Sequence, residues 1–150
     1  MSFYDILVLI HVFSAIVGLG PGFSMIYIVT KAKNMTELKH AYMIRNRIHV
    51  FVMVGGTSLI VTGVWMGLLQ PYLFQQIWFI SSLLLFLIAL GAGPIVLSPK
   101  SKPIKKLLEE YEGEEIPAQY YKLASQLFFY ERITNTIFFI IIGLMIVKPF

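Results

Sequence analysis

The stretch "DILVLIHVFSAIVGLGPGFSMIYIVT", residues 5–30, decides the fold, because it carries no charged side chain after Asp5. About 20 apolar residues in an α-helix cross a bilayer core of about 30 Å. Residues 48–69, 77–98 and 128–147 have the same character. With 57% hydrophobic and 13% charged residues, the chain has too little polar surface for four buried helices of a soluble protein. We therefore predict one domain over residues 1–150, an all-α integral membrane bundle of four transmembrane helices.

The positions of the basic residues predict the orientation. Eleven of the 12 Lys and Arg residues lie between spans one and two or between spans three and four, and the loop at residues 70–76 has none. Because basic loops stay in the cytoplasm, we expect both long connections inside the cell and both termini outside, in a multi-pass protein of the plasma membrane. The partner that this implies is the lipid bilayer and not nucleic acid, despite a net charge of +4.

Capping residues and helix breakers predict the helix boundaries. Asn34, followed three residues later by Glu37, reads as a capping box that starts a helix near residue 35. That helix runs to about residue 69, with its first third in the cytoplasm. Pro21 is expected to kink or interrupt the first helix. The last helix is expected to start after Pro117.

Three prolines and two glycines in "GAGPIVLSPKSKP", residues 91–103, predict that the third helix ends there. A short amphipathic helix follows, with Ile104, Leu107, Leu108 and Tyr111 on one face. We expect it either to lie on the inner membrane surface or to pack on the cytoplasmic ends of its neighbours.

Small residues four positions apart mark faces where membrane helices approach closely. The three stripes are Ser14, Gly18 and Gly22 on span one, Gly63 and Gly67 on span two, and Ala89 and Gly93 on span three. His11 shares the first stripe, so it is expected to face the bundle interior and not lipid.

An ionisable side chain inside a membrane span needs a partner, and span one contains one histidine, His11. It is either a neutral histidine hydrogen-bonded to a neighbour such as Thr62, Tyr4 or a backbone carbonyl, a ligand of haem or a metal, or a proton relay. The chain has no cysteine, which excludes disulfides and thiolate metal sites.

A second ligand for His11 has to come from the outer half of the bundle. His49 lies about 27 Å deeper by helix geometry, and His40 is further away still, so neither can share a haem with His11. Met66 and Met145 are the soft candidates at the right depth, unless His11 of a second protomer serves. Haem b or copper bound by His11, Met66 and Met145 is therefore one hypothesis, and packing of both methionines is the other.

A polar cluster is expected near the cytoplasmic ends of the second and fourth spans. It consists of Arg45, Arg47 and His49 on one helix and Glu131, Arg132, Thr134 and Asn135 on the other. Opposite charges at matching depth predict a salt-bridge network; the alternative is a site for an anionic lipid or a quinone headgroup lined by the three arginines. No nucleophile elbow, P-loop or metal-binding histidine pair is present in the sequence.

Four short motifs resemble a family of bacterial four-span membrane proteins, domain of unknown function 2269. They are "LIHVFSAIVGLGPGF" in span one, "VTGVWMG" at the end of span two, the tryptophan that opens span three, and the terminal "GLMIVKP". That family is distantly similar to the copper-resistance D membrane domain and to the membrane protoporphyrinogen oxidase. In those relatives a first-span histidine can be a ligand, and His11 matches it. The oxidase also uses a third-span lysine, which "WFISSLLLF" lacks here, and this argues against the oxidase activity and its haem ligation.

Three functions remain open from the sequence. The leading one is a small membrane protein that holds haem, copper or another hydrophobic cofactor through His11. The second is a cofactor-free structural or accessory subunit, within a homo-oligomer or a larger membrane complex. The third is a membrane oxidoreductase acting on a porphyrin or a quinone, and we favour binding over catalysis.

Overall fold

A computed structural model describes residues 1–149 and shows an all-helical chain, with no strand in that range. The α-helices are α1 (Phe3–Thr30), α2 (Met35–Leu69), α3 (Ile77–Ala92), α4 (Ser98–Glu110) and α5 (Ala118–Val147). A 3₁₀ turn at Pro71–Gln75 joins α2 to α3, and a π-helical segment at Gly93–Leu97 joins α3 to α4.

Four helical runs are long and apolar enough to cross a membrane, which confirms the predicted all-helical fold with four transmembrane-capable helices. They are α1, α2, the continuous run from Ile77 to Glu110, and α5. Their outward side chains are large and apolar, as in Phe13, which is 59% exposed, and Ile88, which is 62% exposed. An apolar exterior of this kind fits lipid and not water.

The capping residues behave largely as predicted. The Asn34 side chain accepts a hydrogen bond from the Glu37 backbone N–H at 2.9 Å, and α2 then runs from residue 35 to residue 69. The Glu37 carboxylate accepts from the backbone of Lys33 and not from that of Asn34. Pro21 lies inside α1 without interrupting it.

The α-helical geometry of α3 ends at Ala92, within residues 91–103, but the prediction that the chain leaves the helical conformation there is wrong. The chain stays helical through Pro94 and Pro99, and the Ser98 N–H reaches back five residues to the Gly93 carbonyl. A π turn widens the helix by one residue, so a proline that lacks its N–H can be accommodated without breaking the run. The prolines therefore reshape this helix and do not end it.

The predicted amphipathic helix is the end of that same run. Ile104 and Leu108 are buried in a cluster with Leu38 of α2 and Leu127 of α5. The sequence left two positions open for this segment, the membrane surface or the ends of the neighbouring helices. The structure shows it packed on the ends of the neighbouring helices.

The helices α1 and α2 are antiparallel and touch backbone to backbone at Gly18 and Gly55. A Cβ built on Gly18 would lie 2.8 Å from the Gly55 Cα and 3.0 Å from the Gly56 nitrogen. Only glycine on both helices permits this approach. Gly63 and Gly67 have other neighbours: a Cβ on Gly63 would meet the His11 ring, and one on Gly67 would overlap the ring of Phe74.

Candidate functional site

The glycine crossing places His11 beside Thr62. Each residue lies seven positions, or two helical turns, from its own crossing glycine in the direction of the Pro71–Gln75 turn. Because the helices are antiparallel, the two side chains arrive at the same level, where His11 Nδ1 lies 2.7 Å from Thr62 Oγ1. Thr62 is one of the hydrogen-bond partners predicted for this histidine.

The hydrogen bonds of Thr62 assign the tautomer of His11. The Thr62 hydroxyl has a single hydrogen, which it donates to the Ser58 carbonyl oxygen at 2.7 Å. Its oxygen must therefore accept from His11, so the proton of the neutral ring sits on Nδ1. Nε2 then carries a free lone pair that can accept a hydrogen bond or bind a metal.

His11 lines a cavity of about 600 Å³ between the helices. All four spans contribute to its wall, and none of the described lining residues carries a charge. Among the described lining residues, only His11 and Ser82 have a nitrogen or oxygen atom in the side chain. The described lining residues are His11, Val12, Ala15, Ile16, Leu19, Gly20, Phe23, Leu59, Ile60, Gly63, Phe79, Ser82, Leu83, Phe86, Ile141, Ile142, Met145 and Ile146. An apolar cavity of this size with few polar groups is typical of a small-molecule site.

The two methionines proposed as ligands differ in position. Met145 lines the cavity together with His11. Met66 is buried in a separate cluster with Leu7, Trp78 and Phe79 and does not line the cavity. Within residues 1–149, no group of three or more His, Asp or Glu side chains is arranged to hold a metal ion.

The polar cluster at the other end of the bundle is smaller than predicted. Arg45 and Glu131 form a buried ion pair between α2 and α5, and Arg45 also reaches the Met25 carbonyl of α1 at 3.5 Å. Arg47, His49 and Arg132 are exposed, and Asn135 is half-buried. A second cavity of about 360 Å³ is lined by Arg132, Tyr120 and Thr30 among others, but not by Arg45 or Arg47, so the three arginines do not share it.

A buried tyrosine pair beside that ion pair was missed from the sequence. The hydroxyls of Tyr42 and Tyr120 lie 3.1 Å apart, one on α2 and one on α5. Burial raises the pKa of both phenols above the ordinary value, so both stay neutral. Nothing in the local sequence separates these two from the other tyrosines, since only the packing of α2 on α5 brings them together.

The spans and the cavity define a class: a multi-pass helical membrane protein with an uncharged interior cavity. Comparison with known families is more specific. The profile of DUF2269, described as a predicted integral membrane protein, matches residues 5–149. The chain therefore belongs to the DUF2269 family. No curated protein and no solved structure shows significant similarity to the chain. The more distant likeness to copper-resistance D and to the protoporphyrinogen oxidase stays a prediction.

Proposed function

We propose that this protein binds a neutral, lipid-soluble molecule in the cavity between its four spans, with His11 as a polar contact. The observation that carries the proposal is the position of His11, which lines a cavity of about 600 Å³ while its Nδ1 lies 2.7 Å from Thr62 Oγ1, so that Nε2 is the nitrogen left for a ligand.

The absence of charge on the described cavity wall favours a neutral ligand. An ion brought into such a site would lose its hydration without gaining an opposite charge, which costs several kcal/mol or more. A bare copper ion would find only the His11 nitrogen, the Met145 sulfur and the neutral Ser82 hydroxyl as donors on the described wall. An apolar molecule loses little on entering from lipid.

Haem b bound by His11 is the second candidate. The supporting observation is the Nδ1–H···Oγ1 hydrogen bond to Thr62, because a metal-binding histidine usually donates its other ring N–H to a fixed acceptor. A visible absorption spectrum of the purified protein separates the two candidates. A Soret band that disappears in His11→Ala supports haem, whereas a colourless protein supports the neutral ligand.

A cavity-filling variant tests the leading proposal. A Cβ on Gly20, which lines the cavity, would meet nothing within 4 Å, and the same holds for Gly91, which does not line it. Gly20→Phe and the matched control Gly91→Phe therefore add the same side chain to a membrane helix without a clash at Cβ. Each protein is purified into nanodiscs of defined lipid, and its extract is analysed by mass spectrometry.

We expect the wild type and Gly91→Phe to retain a neutral apolar compound in near-stoichiometric amount, and Gly20→Phe to lose it. Equal content in all three proteins would contradict a site in this cavity. Retention of nothing by any of them would favour the cofactor-free accessory subunit instead.

We further propose the plasma membrane as the location, with both termini outside, on the basis of the basic loops. The chain has no cysteine, so single cysteines placed at Ser2 and at Lys102 can be labelled one at a time in intact cells. A membrane-impermeant maleimide should label position 2 only. Labelling of position 102 would reverse the proposed orientation.

A further inference from the structure

Ser82 differs from the other buried serine and threonine side chains of the described residues. Ser14, Thr62 and Thr134 each donate to the backbone carbonyl four residues earlier in their own helix. Ser82 is 1% exposed, and its Oγ has no hydrogen-bond partner within residues 1–149. An unpaired buried hydroxyl costs about 1–3 kcal/mol, and the usual bond to its own helix would remove that cost. Ser82 is also one of the residues that line the cavity of His11.

We propose that the ligand of this cavity is a flat, lipid-soluble ring that carries a hydroxyl group, the chemistry of a phenol or a hydroquinone. This inference rests on the proposed function and specifies its ligand class. In this proposal the Ser82 hydroxyl turns toward the cavity and donates to an oxygen of the ligand, and His11 Nε2 accepts from a ligand O–H.

The unprotonated Nε2 of His11 favours a ligand with a hydroxyl group over one with carbonyl groups alone. A molecule with carbonyl oxygens alone, such as a quinone, can accept from Ser82 but leaves Nε2 without a donor. A hydroquinone has hydroxyls that accept from Ser82 and donate to Nε2, so it pairs both polar groups of the described wall. Leaving one of the two polar groups unpaired in the occupied cavity costs about 1–3 kcal/mol, which corresponds to a preference of about 5-fold to 150-fold for the hydroquinone.

The aromatic wall favours a flat ring. Phe23 of α1 and Phe79 and Phe86 of α3 all line the cavity. Phenyl groups pack against flat rings in offset or edge-to-face geometry, which adds to the burial of apolar area. An apolar tail on the ring can follow the aliphatic part of the wall toward lipid.

Three related probes test the inference in nanodiscs. They are a tritiated decyl-substituted benzohydroquinone kept under reductant, its quinone, and its dimethyl ether, with binding measured by scintillation proximity. We expect the hydroquinone to bind the wild type at least about 5-fold more tightly than the dimethyl ether, which cannot donate to Nε2.

Variants assign the contacts. Ser82→Ala should weaken hydroquinone binding about tenfold while leaving thermal stability unchanged or raised, because an unpaired hydroxyl is removed. His11→Phe should weaken binding of the hydroquinone but not of the quinone. Ser81→Ala is the matched control, since Ser81 does not line the cavity, and it should bind as the wild type does.

The outcomes separate this inference from the proposed function. Equal binding of the hydroquinone and its dimethyl ether, or unchanged binding in Ser82→Ala, overturns the hydroxyl-bearing ring. If Gly20→Phe still loses a retained compound in that case, the cavity remains a ligand site for another molecule. Failure of the hydroquinone to bind the wild type also overturns the inference.

Discussion

Replacing Gly18 by alanine should destabilise the protein, although alanine is the better helix former. The gain in helix propensity is about 0.5–1 kcal/mol. Against it, the new methyl carbon would lie 2.8 Å from the Gly55 Cα, 2.9 Å from the Gly55 carbonyl carbon and 3.0 Å from the Gly56 nitrogen. These are backbone atoms that cannot rotate away, so α1 and α2 must separate by about half an ångström or more.

The magnitude follows from the contacts that this separation weakens. Overpacking a tight interface costs about 1–3 kcal/mol, and a gap of 0.5–1 Å forfeits about a quarter to a half of each dispersion contact along it. After the propensity gain, we expect a net loss of about 1–2 kcal/mol. The same separation should lengthen the hydrogen bond from His11 to Thr62, two turns away.

Reversible unfolding in mixed micelles with increasing denaturing detergent measures this loss. Gly22→Ala is the matched control, since it lies one turn further on the same face of α1 and its Cβ would meet only Val52, at 3.8 Å. That variant should be as stable as the wild type or more so. If Gly18→Ala keeps full stability, or if Gly22→Ala loses as much, the backbone contact at Gly18 does not hold these helices together.

Three further changes probe other contacts. Glu131→Gln should lower the free energy of unfolding by about 3–5 kcal/mol, because Arg45 stays buried without its charge partner. The double variant Arg45→Met with Glu131→Leu should recover most of that loss. Both variants are measured by detergent unfolding. Burial raises the pKa of Tyr42 and Tyr120, so their contribution to stability is complete below about pH 10 and falls as the pH rises further. Tyr42→Phe should reduce this loss of stability at alkaline pH. Thr62→Val removes the acceptor of the imidazole N–H and should cost about 1–3 kcal/mol, whereas Thr62→Ser should cost less than 1 kcal/mol. A flat alkaline profile in the wild type, or equal stability of the two Thr62 variants, would contradict the corresponding contact.

The spans, the cap at Asn34 and the bounds of α2 could be predicted from the sequence, because each depends on local composition or on residues within one turn. The π segment could not be predicted, since the sequence near Pro94 and Pro99 shows only that normal hydrogen bonds are lost there. The end of this helical run is held by Ile104 and Leu108, which pack against α2 and α5. These contacts join distant parts of the chain, so the sequence around the prolines does not predict them.

The candidate site was predicted in part. His11 was singled out because a histidine in an apolar span needs a partner, and Thr62 was one of the partners considered. The register that joins them depends on Gly18 meeting Gly55. The small-residue pattern pointed to Gly18 on α1, but on α2 it pointed to Gly63 and Gly67 and not to Gly55. Ser82 was not singled out, because a serine in a membrane helix normally bonds to its own backbone and only the structure shows that this one does not.

The ¹⁵N spectrum of the His11 ring is the most direct test of the claim that a bare nitrogen faces a ligand cavity. The ring is observed in nanodiscs with labelled histidine and assigned by comparison with His11→Phe. We predict a protonated Nδ1 and an unprotonated Nε2 in the ligand-free protein. The Nε2 resonance should move toward that of a hydrogen-bonded nitrogen when the hydroquinone is added, and should not move with its dimethyl ether. A proton on Nε2 in the ligand-free protein, or an Nε2 resonance that the hydroquinone leaves unchanged, would contradict the account.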